Sequence, residues 1–205
     1  MRPPTRSEEK ERLRVSMRGR LAALDPAAAA ASARAATDRL LALPELAAAR
    51  GLLVCLSFGS EISTQELIPS WRARGGSIFV PRAVRGAPAL EACAYPCELD
   101  TLRFGLRQPS ARVAALADTD VGSAVDAAVV LGLAFDLRGY RLGHGAGYFD
   151  RFLARHPALP AIGLAHDLQL LERLPAEAHD VPMRVVVTGS RVVRPPAGAG
   201  GSRSG

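Results

Sequence analysis

The chain predicts an α/β fold: a single three-layer domain with an open, mostly parallel, Rossmann-like sheet and helices on both faces. Three observations predict it. Apolar runs of strand length recur without polar alternation, the pattern of strands buried on both faces. Helical stretches separate most of them, as a parallel sheet requires. No period of about 20–50 residues repeats, which removes solenoids and propellers. With 205 residues, 48% of them hydrophobic, the chain has enough apolar material for one such core.

The elements follow in order. Leu13, Met17, Leu21 and Leu24 share one face of a helix over Arg6–Leu24. Asp25 is a good N-cap and Pro26 a good first helical residue, so the alanine-rich run to Leu43 is a second helix that ends near Pro44. "GLLVCLSF" (Gly51–Phe58) is an apolar strand. "TQELIPSWRARGG" follows as a short helix closed by Gly75 and Gly76, and "SIFVPR" (Ser77–Arg82) as the second strand. "ALEACAYP" (Ala89–Pro96) and "DAAVVLGLAF" (Asp126–Phe135) supply the third and fourth. A helix over Gly147–Arg155 leads to strands at "PAIGLAH" (Pro160–His166) and "MRVVVTG" (Met183–Gly189). The domain is expected over residues 10–190, with a flexible segment 1–9 before it and a disordered tail 191–205 after it, where apolar patterning stops.

Composition narrows the function classes. No apolar run approaches the roughly 20 residues that cross a bilayer, and no hydrophobic leader opens the chain. Cys55, Cys93 and Cys97 form neither a zinc pattern nor a paired framework, so reduced thiols and a cytoplasmic location are expected. The net charge of +6 rests almost wholly on arginine, with Lys10 the single lysine. The arginines are scattered and lack interleaved aromatics, which argues against a nucleic-acid face and leaves anionic small molecules as partners.

In open α/β sheets ligands bind beyond the carboxyl ends of strands. Four loops qualify: "SFGSEIST", "PRAVRG", "AHDLQ" and "FDLRGYRLGHGAGYFDRF" (Phe135–Phe152). The last carries Gly139, Gly143, Gly145 and Gly147 within nine residues. It is not a Walker A loop, since no glycine precedes a lysine. It is not a dinucleotide fingerprint either, since its spacing is G-x-G-x-G and it lies late in the chain. Small residues entering a helix, with Arg138 and Arg141 beside them, suit an anion; a purely structural turn is the competing reading.

These residues resemble the signature of the 5-formyltetrahydrofolate cyclo-ligase (5,10-methenyltetrahydrofolate synthetase) family, close to F-D-x-x-G-x-R-L-G-x-G-x-G-Y-Y-D. The likeness extends in order to "KERLR" (Lys10–Arg14), "LSFGSEIST" (Leu56–Thr64), "VPR" (Val80–Arg82), "FGLRQP" (Phe104–Pro109), "IGLAHDLQL" and "AHDVPM", spanning about Lys10 to Thr188. The resemblance implies conversion of 5-formyltetrahydrofolate and ATP, with Mg²⁺, into 5,10-methenyltetrahydrofolate, ADP and phosphate. In that chemistry the formyl oxygen takes the γ-phosphoryl group as an imidate phosphate. N10 then attacks the activated carbon and phosphate leaves. Such transfer asks for positioning and charge neutralisation rather than a protein nucleophile.

Carried onto this sequence, the resemblance implies ATP contacts at Lys10, Arg14, Arg141, Leu142, Gly143, His144, Gly145, Ala146, Gly147, Tyr148 and Phe149. Lys10 and Arg14 lie one helical turn apart, so both can reach one triphosphate. Folate contacts are implied at Leu56, Glu61, Phe104 and His144–Tyr148, with Glu61 accepting from pterin N–H groups and Phe104 packing on a flat ring. Tyr148, Arg141 and Lys10 would act on the reacting groups, and Asp150 and Asp180 would hold Mg²⁺. Departures from the family pattern are Ala146 for a common Gly or Lys, Phe149 for a usual Tyr, Leu131 for a Pro, and His144 at a variable position. A sugar-phosphate isomerase or CoA-transferase-like enzyme would need an acid/base pair, for which only Glu61 and Asp136 stand at strand ends. The remaining alternative is a folate- or nucleotide-binding protein without turnover. A monomer is expected, a small homo-oligomer being the other option.

Overall fold

The computed structural model describes residues 2–196, and of Phe104 the backbone alone. Two helices, α1 (Arg6–Ala22) and α2 (Pro26–Leu41), precede β1 (Gly51–Val54). Then come α3 (Leu67–Ala73), β2 (Ser77–Ala83), β3 (Leu90–Tyr95) and the small hairpin β4 (Leu99–Thr101) and β5 (Arg107–Pro109). The short helix α4 (Val121–Ala124) leads to β6 (Ala127–Val130), β7 (Ala134–Asp136) and β8 (Arg141–Leu142). The chain closes with α5 (Tyr148–Arg155), β9 (Ala161–Leu164), β10 (Leu170–Leu171), β11 (Val185–Val187) and β12 (Val192–Val193).

The main sheet has the order β12-β11-β9-β6-β1-β2-β3. The five central strands are parallel and both edge strands antiparallel. Parallel pairing buries both faces, which explains the unbroken apolar runs. Leu52, Val54, Val129, Leu164 and Val187 pack beneath α2 and α3, contributed by Ala36, Leu40, Leu67 and Trp71. Their alternates Leu53, Ala128, Val130 and Val186 pack with Phe152 and Leu153 of α5 on the opposite face. Gly163 is required in this layer, because a Cβ there would stand 2.6 Å from the Phe135 ring. α1 lies apart from the main sheet. Its Met17 and Leu21 pack on Leu133, Ala134 and Leu142, at the small sheet β10-β7-β8.

The run expected as one strand over Asp126–Phe135 is two strands in two sheets. The chain leaves the main sheet at Leu131, and Gln169, fully buried, donates to the carbonyls of Gly132 and Leu133 (2.7 and 3.3 Å) to hold the crossing. Regular structure extends past both ends of the segment 10–190. Thr5 forms a capping box with Glu8, so α1 starts at Arg6, inside the segment expected to be flexible. Val192 and Val193 pair with β11, so ordered pairing passes residue 190. Residues 197–205 of the expected tail lie outside the described residues.

Candidate active site

From β1 the chain crosses to β2 on one side and later returns to β6 on the other, which makes the β1/β6 boundary the switch point of the sheet. A cleft of about 510 Å³ opens there, floored by Cys55 and Leu56 beyond β1 and Leu131 beyond β6. One wall is the segment from Arg141 to Asp150, every residue of which lines the cleft. Leu142 is buried and anchors the segment on α1, while His144, Gly145 and Ala146 are exposed. Gly145 (φ +114°) and Gly147 (φ +63°) adopt backbone that side chains resist, which lets the loop double back into α5. Arg14 ties the loop to α1 through its Nε, 3.0 Å from the Gly143 carbonyl, and Arg151 donates to the Ala146 carbonyl.

Cations and carboxylates meet at the α1 side of the cleft. Lys10 is buried and its Nζ donates to Glu177 (2.7 Å) and Asp180 (2.8 Å). Burial alone would lower its pKa, but the bonds it donates to Asp180 and Glu177 outweigh it and hold the ammonium above its ordinary value. The bond from Lys10 in turn holds Glu177 below the usual carboxylate range. Glu177, His179 and Asp180 place one ligand atom each within 4.8 Å of one another, a group able to hold a metal ion. Asp150 is arranged differently. Its Oδ2 accepts from Arg141 Nη2 (2.9 Å) and its Oδ1 from the Val181 N–H (3.2 Å). The Arg141 side chain is 4% exposed, and its Nη1 is buried without a hydrogen-bond partner among the described residues.

On the opposite wall Glu61 is nearly sealed. One oxygen lies 3.0 Å from His144 Nε2 and the other accepts from the Phe58 N–H at 3.2 Å. The Phe58 and His144 rings lie 5.3 Å apart, so this pair joins the glycine loop to the loop after β1. Tyr148 faces the cleft beneath the Arg151 guanidinium, 5.6 Å from its ring, and Phe149 stands 5.4 Å from the Arg141 guanidinium. Thus Lys10, Arg14, Leu56, Glu61, the whole 141–150 segment and Asp180 come together around one cavity. The side chain of Phe104 lies outside the described residues; its backbone forms a 3₁₀ turn ahead of β5.

Two of the four strand-end loops behave differently from expectation. In "PRAVRG", Pro81 and Ala83 line the cleft while Arg82 turns away to Glu91, Ser110 and Val113. "AHDLQ" does not line it: His166 bonds Ser32, Asp167 bonds Thr188 and Ser190, and Gln169 supports the β6–β7 crossing. Asp136 is fully buried in a network of N–H donors, which removes it as an acid/base partner for Glu61. Residues absent from the expected site are Glu177, His179, Phe58, Arg107 and Gln108. The string "EAHD" (Glu177–Asp180) was the available signal, since it packs three ligand types into four residues.

Cys55 lies on the cleft floor, yet burial pushes its thiol up to about 12, so it is a protonated wall rather than a nucleophile. Iodoacetamide at mildly alkaline pH should label the half-buried Cys97 and spare Cys55 in the native protein. Peptide mapping by mass spectrometry checks this, and rapid native labelling of Cys55 would contradict it.

A mostly parallel sheet whose switch point carries a glycine-walled cleft, lined by both cations and carboxylates, defines an α/β protein of the kind that binds its ligand at the carboxyl ends of the strands. The model of the 5-formyltetrahydrofolate cyclo-ligase family matches residues 6–189, and the chain belongs to that family. It is 35% identical over 182 residues to 5-formyltetrahydrofolate cyclo-ligase of Escherichia coli K12, covering 86% of this chain and 98% of the relative. It is 37% identical over 150 residues to the Mycolicibacterium smegmatis cyclo-ligase, covering 69% and 75% of the two chains. Among solved structures, 5,10-methenyltetrahydrofolate synthetase of Aquifex aeolicus superposes with a TM-score of 0.76 at 28% identity, over 92% of this chain and 94% of that one. No helix among the described residues is long and apolar enough to cross a membrane.

Proposed function

We propose that this chain is a 5-formyltetrahydrofolate cyclo-ligase, which uses Mg²⁺ and ATP to close 5-formyltetrahydrofolate into 5,10-methenyltetrahydrofolate, releasing ADP and phosphate. The observation that carries the reading is the cleft itself. It gathers three cations from α1 and β8 against a glycine backbone, and sets a sheltered carboxylate on the far wall. Lys10, Arg14 and Arg141 neutralise the triphosphate, and the Gly143–Gly147 backbone closes on it. Glu61 accepts from the amino and ring N–H groups of the pterin, which would replace His144 as its partner. Between the two walls the formyl oxygen meets the γ-phosphorus. Tyr148, which lines the cleft at the start of α5, would hydrogen-bond beside that centre.

The residues fit a hard divalent cation. Asp180 and Glu177 offer carboxylate oxygens beside the triphosphate cations, the donor type magnesium prefers. Asp150 could join only by sharing oxygens now held by Arg141 and Val181. Magnesium would supply charge neutralisation on the phosphates, while the protein's own part is to orient them.

Purified protein given Mg-ATP and 5-formyltetrahydrofolate should generate the near-ultraviolet absorbance of methenyltetrahydrofolate. Folded protein with no signal above the uncatalysed rate and no ATP consumption would overturn the reading. Lys10→Ala should raise the KM for ATP more than that for folate, and Glu61→Ala should do the reverse; the opposite pattern would mean the two subsites are exchanged.

A further inference from the structure

One hydrogen bond spans the mouth of the cleft. His144 Nε2 lies 3.0 Å from Glu61 Oε1, and the Phe58 ring centre stands 5.3 Å from that of the imidazole. Among the described residues these are the hydrogen-bond and ring contacts between the loop after β1 and the glycine loop. They join the wall assigned to the pterin to the wall assigned to the triphosphate. The Glu61 side chain is 8% exposed and its second oxygen already accepts from the Phe58 N–H, so a pterin that presents its donors must take the place of His144. At the other end of the contact the backbone is uncommitted. The N–H groups of Gly143 to Gly147 donate to nothing among the described residues, and successive free N–H groups suit an anion. His144 stands between Gly143 and Gly145, the latter at φ +114°, so the peptide planes on either side of it turn at little steric cost.

We propose that His144 is a positioning residue that acts through Glu61 and couples the two subsites. Turning the loop N–H groups onto a phosphate draws the His144 ring from Glu61, and seating the pterin on Glu61 displaces the same ring. Whichever ligand arrives first breaks the contact, and the second meets a site already open. Each substrate therefore raises the affinity for the other by the same factor. This rests on the cyclo-ligase reading and adds to it a linkage between folate and nucleotide binding. The contact is also sensitive to protonation. Histidine ordinarily gains its proton between about pH 8 and 5, and an imidazolium holds a carboxylate more firmly than a neutral imidazole does. Folate affinity without nucleotide should therefore fall as pH is lowered through that range. From α1, Arg14 is the charged group that approaches the loop at Gly145, and its Nε and Nη1 are held by the Gly143 carbonyl and Glu11. His179, the other histidine of the cleft, stands on the α1 side beside Glu177 and Asp180, so its titration persists in a His144 variant.

The test is equilibrium binding of 5-formyltetrahydrofolate with and without a saturating β,γ-methylene analogue of ATP, magnesium being present throughout. A half-exposed hydrogen bond to a carboxylate contributes about five- to tenfold to an equilibrium constant, so the analogue should tighten folate binding by about that factor. His144→Ala should bind folate alone about five- to tenfold tighter than the parent protein and respond less than about twofold to the analogue. It should also lose the fall in affinity between about pH 7.5 and 5.5. His144→Gln, which keeps a neutral donor, should retain part of the coupling and none of this pH dependence. His144 is exposed and belongs to no hydrophobic cluster among the described residues, so both variants should fold, as circular dichroism checks. Weaker folate binding by His144→Ala would make the imidazole a pterin contact and overturn the proposal, as would coupling that persists without it. The outcomes separate from the parent reading. Turnover with uncoupled binding removes the linkage alone, whereas a folded parent protein that binds no folate removes both.

Discussion

Arg141→Ala is expected to lower kcat/KM by about a hundred- to a thousandfold, the loss that follows removal of one preorganised charge donor elsewhere. The expectation comes from an asymmetry within one guanidinium. Nη2 is held by Asp150 at 2.9 Å, whereas Nη1 is buried with no partner among the described residues. A buried N–H left unsatisfied costs about 1–3 kcal/mol, a cost that an anion bound in the cleft would relieve. Asp150 and the Phe149 ring fix the plane of the group, so its free edge is set before the anion arrives. Lysine should not rescue the function, because one ammonium cannot bond Asp150 and an incoming phosphoryl oxygen with a planar fork. Steady-state kinetics with both substrates, beside circular dichroism to show folding, checks the prediction. Turnover within about tenfold of the parent protein would remove Arg141 from the transition state.

How much of this was legible beforehand depends on whether a signal is local. The glycine segment was legible because its glycines, Arg141, Tyr148 and Asp150 are contiguous, and the structure sets all of them on one wall. Lys10 and Arg14 were legible as a pair on one helix face, but not their division of labour. Lys10 bonds the Glu177/Asp180 carboxylates, while Arg14 clamps the carbonyl of Gly143, and only the docking of α1 decides that. Glu177 and His179 sit in irregular chain, where no period of 2 or 3.6 applies, so only composition marked them. In the fold, the five parallel strands announced themselves by apolar runs. The break at Leu131–Leu133 did not, because both strands it joins are buried and the hydrophobic run continues through the turn. β3 was expected as a strand but nothing marked its antiparallel direction, which follows from the short return after β2 rather than from side-chain pattern.

Asp136 is where sequence and structure assign one residue different work, and its replacement should produce the largest loss of stability. Asp136→Ala is expected to cost about 3–5 kcal/mol, the usual consequence of leaving a buried ion pair with one partner. The carboxylate is fully buried. Oδ1 accepts from the N–H groups of Arg138 (2.9 Å) and Tyr140 (3.0 Å). Oδ2 accepts from the Leu174 N–H (2.9 Å) and the Arg138 guanidinium (2.6 and 3.0 Å). Every one of these partners is a donor. Asp136→Asn should therefore be nearly as damaging, since its amide nitrogen would turn hydrogens toward hydrogens at one of the two positions. In a chain of this size such a loss lowers Tm by about 10 °C, readable by thermal and urea denaturation. The network holds the turn between β7 and β8, and so sets where Arg141 leaves the sheet and where the glycine wall begins. Below its melting range, the folded Asp136→Asn protein should lose far less in kcat/KM than Arg141→Ala does, because Asp136 touches the cleft only through the backbone it orders. If instead Tm hardly moves and turnover disappears, Asp136 is an acid that takes part in the reaction, and the isomerase-like alternative regains its missing partner for Glu61.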